Sequence, residues 1–170
     1  MARSGRRLTL AGSAAVLALL LCMRPAAARD ALGVWEDWGA FRDSAVPRCY
    51  AIAMPAPSSR PRDGVPYMTI GTWPRRNLRG QVHWRLSRRI APGAKVTASV
   101  GGETFELMAS DAVAWAQDRR MDAAVIARLR SAGTLTISGK ARDGRTFRDT
   151  YRLGGAASAM DAATVGCVGL

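Results

Sequence analysis

The sequence predicts a mainly β protein: an antiparallel β-sandwich that carries two short helices. Three observations lead there. Apolar and polar residues alternate with period two along most of the chain. Glycine-bearing turn pairs separate the alternating runs. Only two segments leave this rhythm for helical spacing or an alanine-rich run.

In chain order, Trp35, Trp38 and Phe41 mark a first strand whose aromatics pack into the core. A carbohydrate or peptide platform is the alternative use for them. Cys49–Met54 and Tyr67–Trp73 are the next strands, with a Pro-rich loop from Pro55 to Pro66 between them. Val82, Trp84 and Leu86 alternate with His83, Arg85 and Ser87. Val96, Ala98 and Val100 do the same with Lys95, Thr97 and Ser99, and Phe105 and Leu107 flank Glu106. Leu135 and Ile137 alternate with Thr134, Thr136 and Ser138. The turn signals are Pro92-Gly93, Gly101-Gly102 and Asp143-Gly144, and the last joins Thr134–Lys140 to Arg145–Leu153 as a hairpin. From Met121 to Ser131 the period becomes helical, with Met121, Val125 and Leu129 on one face. Asp118 or Asp122 stands near the start of that helix and Gly133 just past its end. A second helix runs from about Ala156 to Cys167 and brings that cysteine back onto the sheet.

The chain has 170 residues, which suits one domain. Its first residues have the pattern of a secretory signal peptide. Arg3, Arg6 and Arg7 precede an uncharged run from Leu8 to Leu21, and Ala26-Ala27-Ala28 offers a small-residue cleavage site. That apolar run of 14 residues is shorter than the ~20 a spanning helix needs. We therefore expect residues 1–28 to be a cleaved signal and 29–170 a single β-sandwich domain in the periplasm, secreted or attached to the envelope. Cleavage leaves 21 basic against 13 acidic residues, a net charge of +8. It also removes Cys22, so Cys49 and Cys167 remain as an even pair in an oxidising compartment. A disulfide is the reading this pairing favours; two free buried thiols are the alternative. Two cysteines and one distant histidine do not supply a metal-ligand set.

Several short motifs resemble the invasion-associated locus B family, small exported proteins of Gram-negative bacteria. They are Trp38-Gly39, Cys49-Tyr50-Ala51 with Pro55 after it, Ala114-Trp115-Ala116 before the first helix, and the close from Asp149-Thr150-Tyr151 through Gly154-Gly155 to Cys167. The resemblance covers most of residues 35–167. It implies an immunoglobulin-like β-sandwich in the periplasm or at the envelope, and it carries over no catalytic residues. Arg128-Leu129-Arg130 departs from the family's pattern in the first helix.

No nucleophile elbow, zinc-protease helix or phosphate-cradling glycine loop is present in the sequence. His83, the single histidine, reads as a solvated and dispensable strand residue. Asp111, Asp118 and Asp122 lack calcium-loop spacing. No cofactor is expected, and the chain does not read as an enzyme. The most uneven feature is charge. From Gly64 to Gly102 there is no acid, while Arg75, Arg76, Arg79, Arg85, Arg88, Arg89 and Lys95 supply seven cations. We expect Arg75, Arg76, Arg79, Arg88 and Arg89 to form an anion-facing rim at the ends of the strand pair around Trp84. A face made Arg-rich by coding bias is the alternative. The function expected is therefore that of an exported, non-enzymatic envelope protein. It would bind another protein or an anionic envelope component and allow peripheral membrane contact, with no nucleic-acid partner. A periplasmic small-ligand-binding or chaperone-like module is the second choice.

Overall fold

The computed structural model describes residues 29–60 and 62–170; the expected signal peptide and Cys22 lie outside the described residues. Ten strands and two α-helices appear among them. The strands are β1 (Asp30–Trp35), β2 (Trp38–Asp43), β3 (Arg48–Ala53), β4 (Tyr67–Trp73) and β5 (Leu78–Arg85). After these come β6 (Val96–Val100), β7 (Glu103–Ser110), β8 (Val113–Trp115), β9 (Thr134–Lys140) and β10 (Thr146–Arg152). Helix α1 (Arg119–Leu129) lies between β8 and β9, and α2 (Ala156–Gly166) follows β10.

All pairings are antiparallel, in the order β1-β2-β3-β4-β5-β8-β7-β6-β9-β10. The fold is thus mainly antiparallel β with two short helices, and it is sandwich-like. Its two layers are halves of one open sheet. Strand β7 joins them: Glu103–Leu107 pairs with β6, and Met108–Ser110 pairs with β8. Strands β6, β7 and β8 are consecutive, and β9 returns through α1 to lie beside β6, which makes a Greek key of the kind most sandwiches contain. The up-and-down run β1–β5 is not part of that motif.

Local chemistry explains the turns. Gly101 and Gly102 both have positive φ, 57° and 80°, as a two-residue hairpin turn with the mirror-image twist requires. Ala94 N–H donates to the Ala91 carbonyl across Pro92-Gly93, where Pro92 presets φ and Gly93 takes φ of 70°. Asp118 caps α1, its carboxylate accepting from the Met121 N–H at 2.8 Å.

The buried faces of both layers form one core. Trp38, Met68, Val82 and Trp84 come from the first layer, and Val96, Leu135, Ile137 and Tyr151 from the second. Helix α2 packs on β1, β2 and β3 and touches β4, whereas α1 packs on β5 and β6. The close approach of α2 is a small-residue effect. Ala156, Ala159 and Ala163 on the helix are buried, as are Ala40, Cys49 and Ala51 on the sheet. At the end of that contact Cys49 and Cys167 are joined by a disulfide, with Cα atoms 5.6 Å apart.

Candidate functional site

The five arginines expected at the ends of the strand pair around Trp84 fall into two groups, one at each end of β5. Arg75 and Arg76 stand in a 3-10 turn, Pro74–Arg76, ahead of β5, and Arg79 is the second residue of β5. Arg88 and Arg89 follow the other end of that strand, which its eight residues place roughly 25 Å away. One small ligand does not span the two groups. Their charge environments differ too. Arg88 lies 3.3 Å from Asp63 and 2.9 Å from Asp143, and Arg89 lies 3.7 Å from Asp111. Arg75, Arg76 and Arg79 have no acid partner among the described residues. The acid-free stretch is therefore partly neutralised by carboxylates that the sheet brings in from distant segments.

At the Arg88 end the fold assembles a cluster that the linear sequence hides. A cleft of about 350 Å³ is lined by Arg60, Arg62, Arg88, Arg145 and Arg148, together with Ser58, Ser87 and Asp149. Long-range backbone bonds build it. Ala56 N–H donates to the Thr150 carbonyl at 2.7 Å, and Asp63 N–H donates to the Ser87 carbonyl at 2.8 Å. These bonds fold the Pro-rich loop against β10 and the segment after β5, carrying Arg60 and Arg62 into the cleft. Arg62 Nη2 donates to the Ala56 carbonyl at 3.0 Å, and its buried Nε has no partner among the described residues. Arg145 and Arg148, exposed at the start of β10, make no salt bridge among the described residues, although the charge of Arg145 is felt by Asp143.

Five arginines therefore line the cleft with a single acid, Asp149. It is buried, and one of its oxygens accepts the Ser87 N–H at 3.0 Å. Asp63 and Asp143 hold Arg88 from outside the lining. The Arg89 N–H beside Asp63 keeps that carboxyl below its usual pKa, helped by Arg88. The Arg145 N–H, then Arg88, do the same for Asp143. Both acids stay ionised at neutral pH and fix Arg88 in place. The remaining forks are suited to bidentate binding of phosphate or carboxylate oxygens.

His83 sits differently from its expected position in solvent. It is half-buried on the outer side of β5, with its ring 6.4 Å from that of Tyr67. Burial, and then the charge of Arg85, lowers its pKa from the ordinary value. Arg29 and Arg48, the charged groups lining the groove around it, carry the same sign. At neutral pH this favours the neutral imidazole. Its contribution to stability is complete above the unfolded pKa of about 6.5 and is lost as pH falls through the lower folded value. We expect His83→Gln to match the wild type in thermal stability near pH 8 and to exceed it progressively below about pH 6. Parallel pH profiles for the two proteins would contradict this account of the buried neutral ring.

The aromatics near the start of the described chain divide. Trp38 is wholly buried in the core, while Trp35 and Phe41 are half-buried. Phe41 stacks on Tyr50 across β2 and β3, with ring centroids 5.7 Å apart. Among the described residues no group of three or more His, Cys, Asp or Glu is placed to hold a metal ion. No described helix is long and apolar enough to cross a membrane. No family model, no curated protein and no solved structure matches the chain.

Proposed function

We propose that this chain is an exported, non-enzymatic envelope domain of the invasion-associated locus B type, and that it binds an anionic envelope component through the arginine cleft beside β10. The observation that carries the reading is the convergence of five arginines on one cleft with a single lining carboxylate. The secretory pattern at the N-terminus, the disulfide and the sandwich-like fold support export to an oxidising compartment. Phosphate groups of envelope lipids are the anions such a surface meets there.

Co-sedimentation with phosphatidylglycerol vesicles at low and at physiological salt tests the proposal. Arg145→Glu combined with Arg148→Glu changes exposed side chains that no described acid holds, so the fold is expected to survive. Each arginine near an anionic surface contributes on the order of 1 kcal/mol, falling with salt. The double reversal should therefore weaken binding at least about tenfold at low salt. The matched reversal Arg75→Glu with Arg76→Glu, at the far end of β5, should have a smaller effect. Equal retention of all three proteins, or a larger loss at the far end, would overturn the assignment. A periplasmic small-ligand role is the second reading, favoured by the cleft's volume, which lies within the range of small-molecule pockets. Saturable binding of inorganic phosphate by a protein that does not sediment with the vesicles would select it.

A further inference from the structure

The outer face of the first layer holds a second groove that shares no residue with the arginine cleft. Its volume is about 470 Å³, and it crosses β3, β4 and β5. Cross-strand registry builds it. Ile52, Thr69 and His83 lie in one row, and Tyr50, Gly71 and Gln81 in the next. Gly71 is needed here. A Cβ at that position would come within 2.6 Å of the Trp73 ring, so the indole lies along the strand in space that only glycine leaves open. Tyr50, Tyr67 and Trp73 supply the aromatic walls.

The side chains of Tyr50, Tyr67, Thr69, Gln81 and His83 are all half-buried, and their polar atoms open to the groove rather than being sealed from solvent. An amide, an imidazole and three hydroxyls line this one aromatic groove. The charge is low. Arg29 and Arg48 both lie near Asp43, at 3.7 and 3.3 Å, and Arg48 also sits 5.1 Å from the Tyr50 ring centre.

We propose that this groove is a saccharide-binding site. A sugar ring presents an apolar C–H face and a rim of hydroxyls. The face packs on aromatic rings, and the rim exchanges hydrogen bonds with planar groups such as the Gln81 amide and the neutral His83 imidazole. A purely apolar ligand leaves those polar groups without partners. Arg29 and Arg48 share Asp43, which leaves less of their charge for an anion. The site is independent of the arginine cleft and does not rest on the function proposed for it.

The test is a titration of the purified full chain with N,N′-diacetylchitobiose and, separately, with maltose. The signals followed by NMR are the indole N–H of Trp73 and the side-chain amide of Gln81. A saturable shift of both signals with at least one disaccharide is expected. Binding should weaken about tenfold or more in Trp73→Ala and in Gln81→Ala. Gln81→Ala alters a half-buried polar side chain on the outer face, so it keeps the test decisive if Trp73→Ala folds poorly. No saturable shift with either sugar would overturn the proposal. So would equal affinity in a folded Gln81→Ala protein. Shifts that follow protein concentration rather than sugar would replace it with self-association through this face.

Discussion

Replacing Cys49 and Cys167 together by alanine should cost about 2–5 kcal/mol, the usual contribution of a native disulfide in a secreted domain. The bond closes a loop with a sequence separation of 118 residues, nearly the whole described domain. In the chain-entropy view such a loop contributes about 5 kcal/mol by restricting the unfolded state. The bond also holds the end of α2 on β3, where both sulfurs are buried. Urea unfolding of the oxidised protein, the reduced protein and the double variant measures the effect. The reduced protein and the double variant should share a lowered midpoint. An unchanged midpoint, or two alkylatable thiols in native material, would contradict the pairing.

Trp38→Ala should be comparably severe. The Trp38 ring is wholly buried, and its Nε1 donates to the Arg152 carbonyl at 2.9 Å, tying β2 to the end of β10. Truncating a buried tryptophan costs about 3–5 kcal/mol, and the abandoned carbonyl adds to that. At about 2–4 °C per kcal/mol for a domain of this size, the melting temperature should fall by roughly 10 °C or more. The neighbouring Asp37–Arg152 pair ties the β1–β2 turn to the same strand but is exposed, so Asp37→Asn should have a far smaller effect. If the two substitutions were equally mild, the tie between the layers would not run through Trp38.

The central strands were legible because their cores are narrow and periodic. Tyr67–Trp73 and Thr134–Lys140 match their strands residue for residue, since Met68 and Ile70, and Leu135 and Ile137, each point to one core. Three features were not legible. The first strand proves to be a hairpin, β1 and β2, which turns at Glu36 with φ of 51° and no glycine or proline there. Contacts with β10, through Trp38 and Asp37, hold that turn in place. Strand β8 has only three residues, too few to show a period, and its place between β5 and β7 is set by their unpaired edges. The arginine cleft drew Arg60 and Arg62 from a loop and Arg145 and Arg148 from a turn and an edge strand. The bonds that gather them, Ala56 to Thr150 and Asp63 to Ser87, join segments with no local signal. The alternation of Phe147 and Tyr151 with Arg148 and Arg152 was the one clue that β10 turns arginines outward.

The cleft's role is tested most directly by labelling arginine Nε with nitrogen-15 and titrating the protein with inorganic phosphate. The account predicts saturable shifts at Arg60, Arg62, Arg145 and Arg148, with little change at Arg75, Arg76 and Arg79. Uniform shifts at both ends of β5, or shifts confined to Arg75, Arg76 and Arg79, would contradict it.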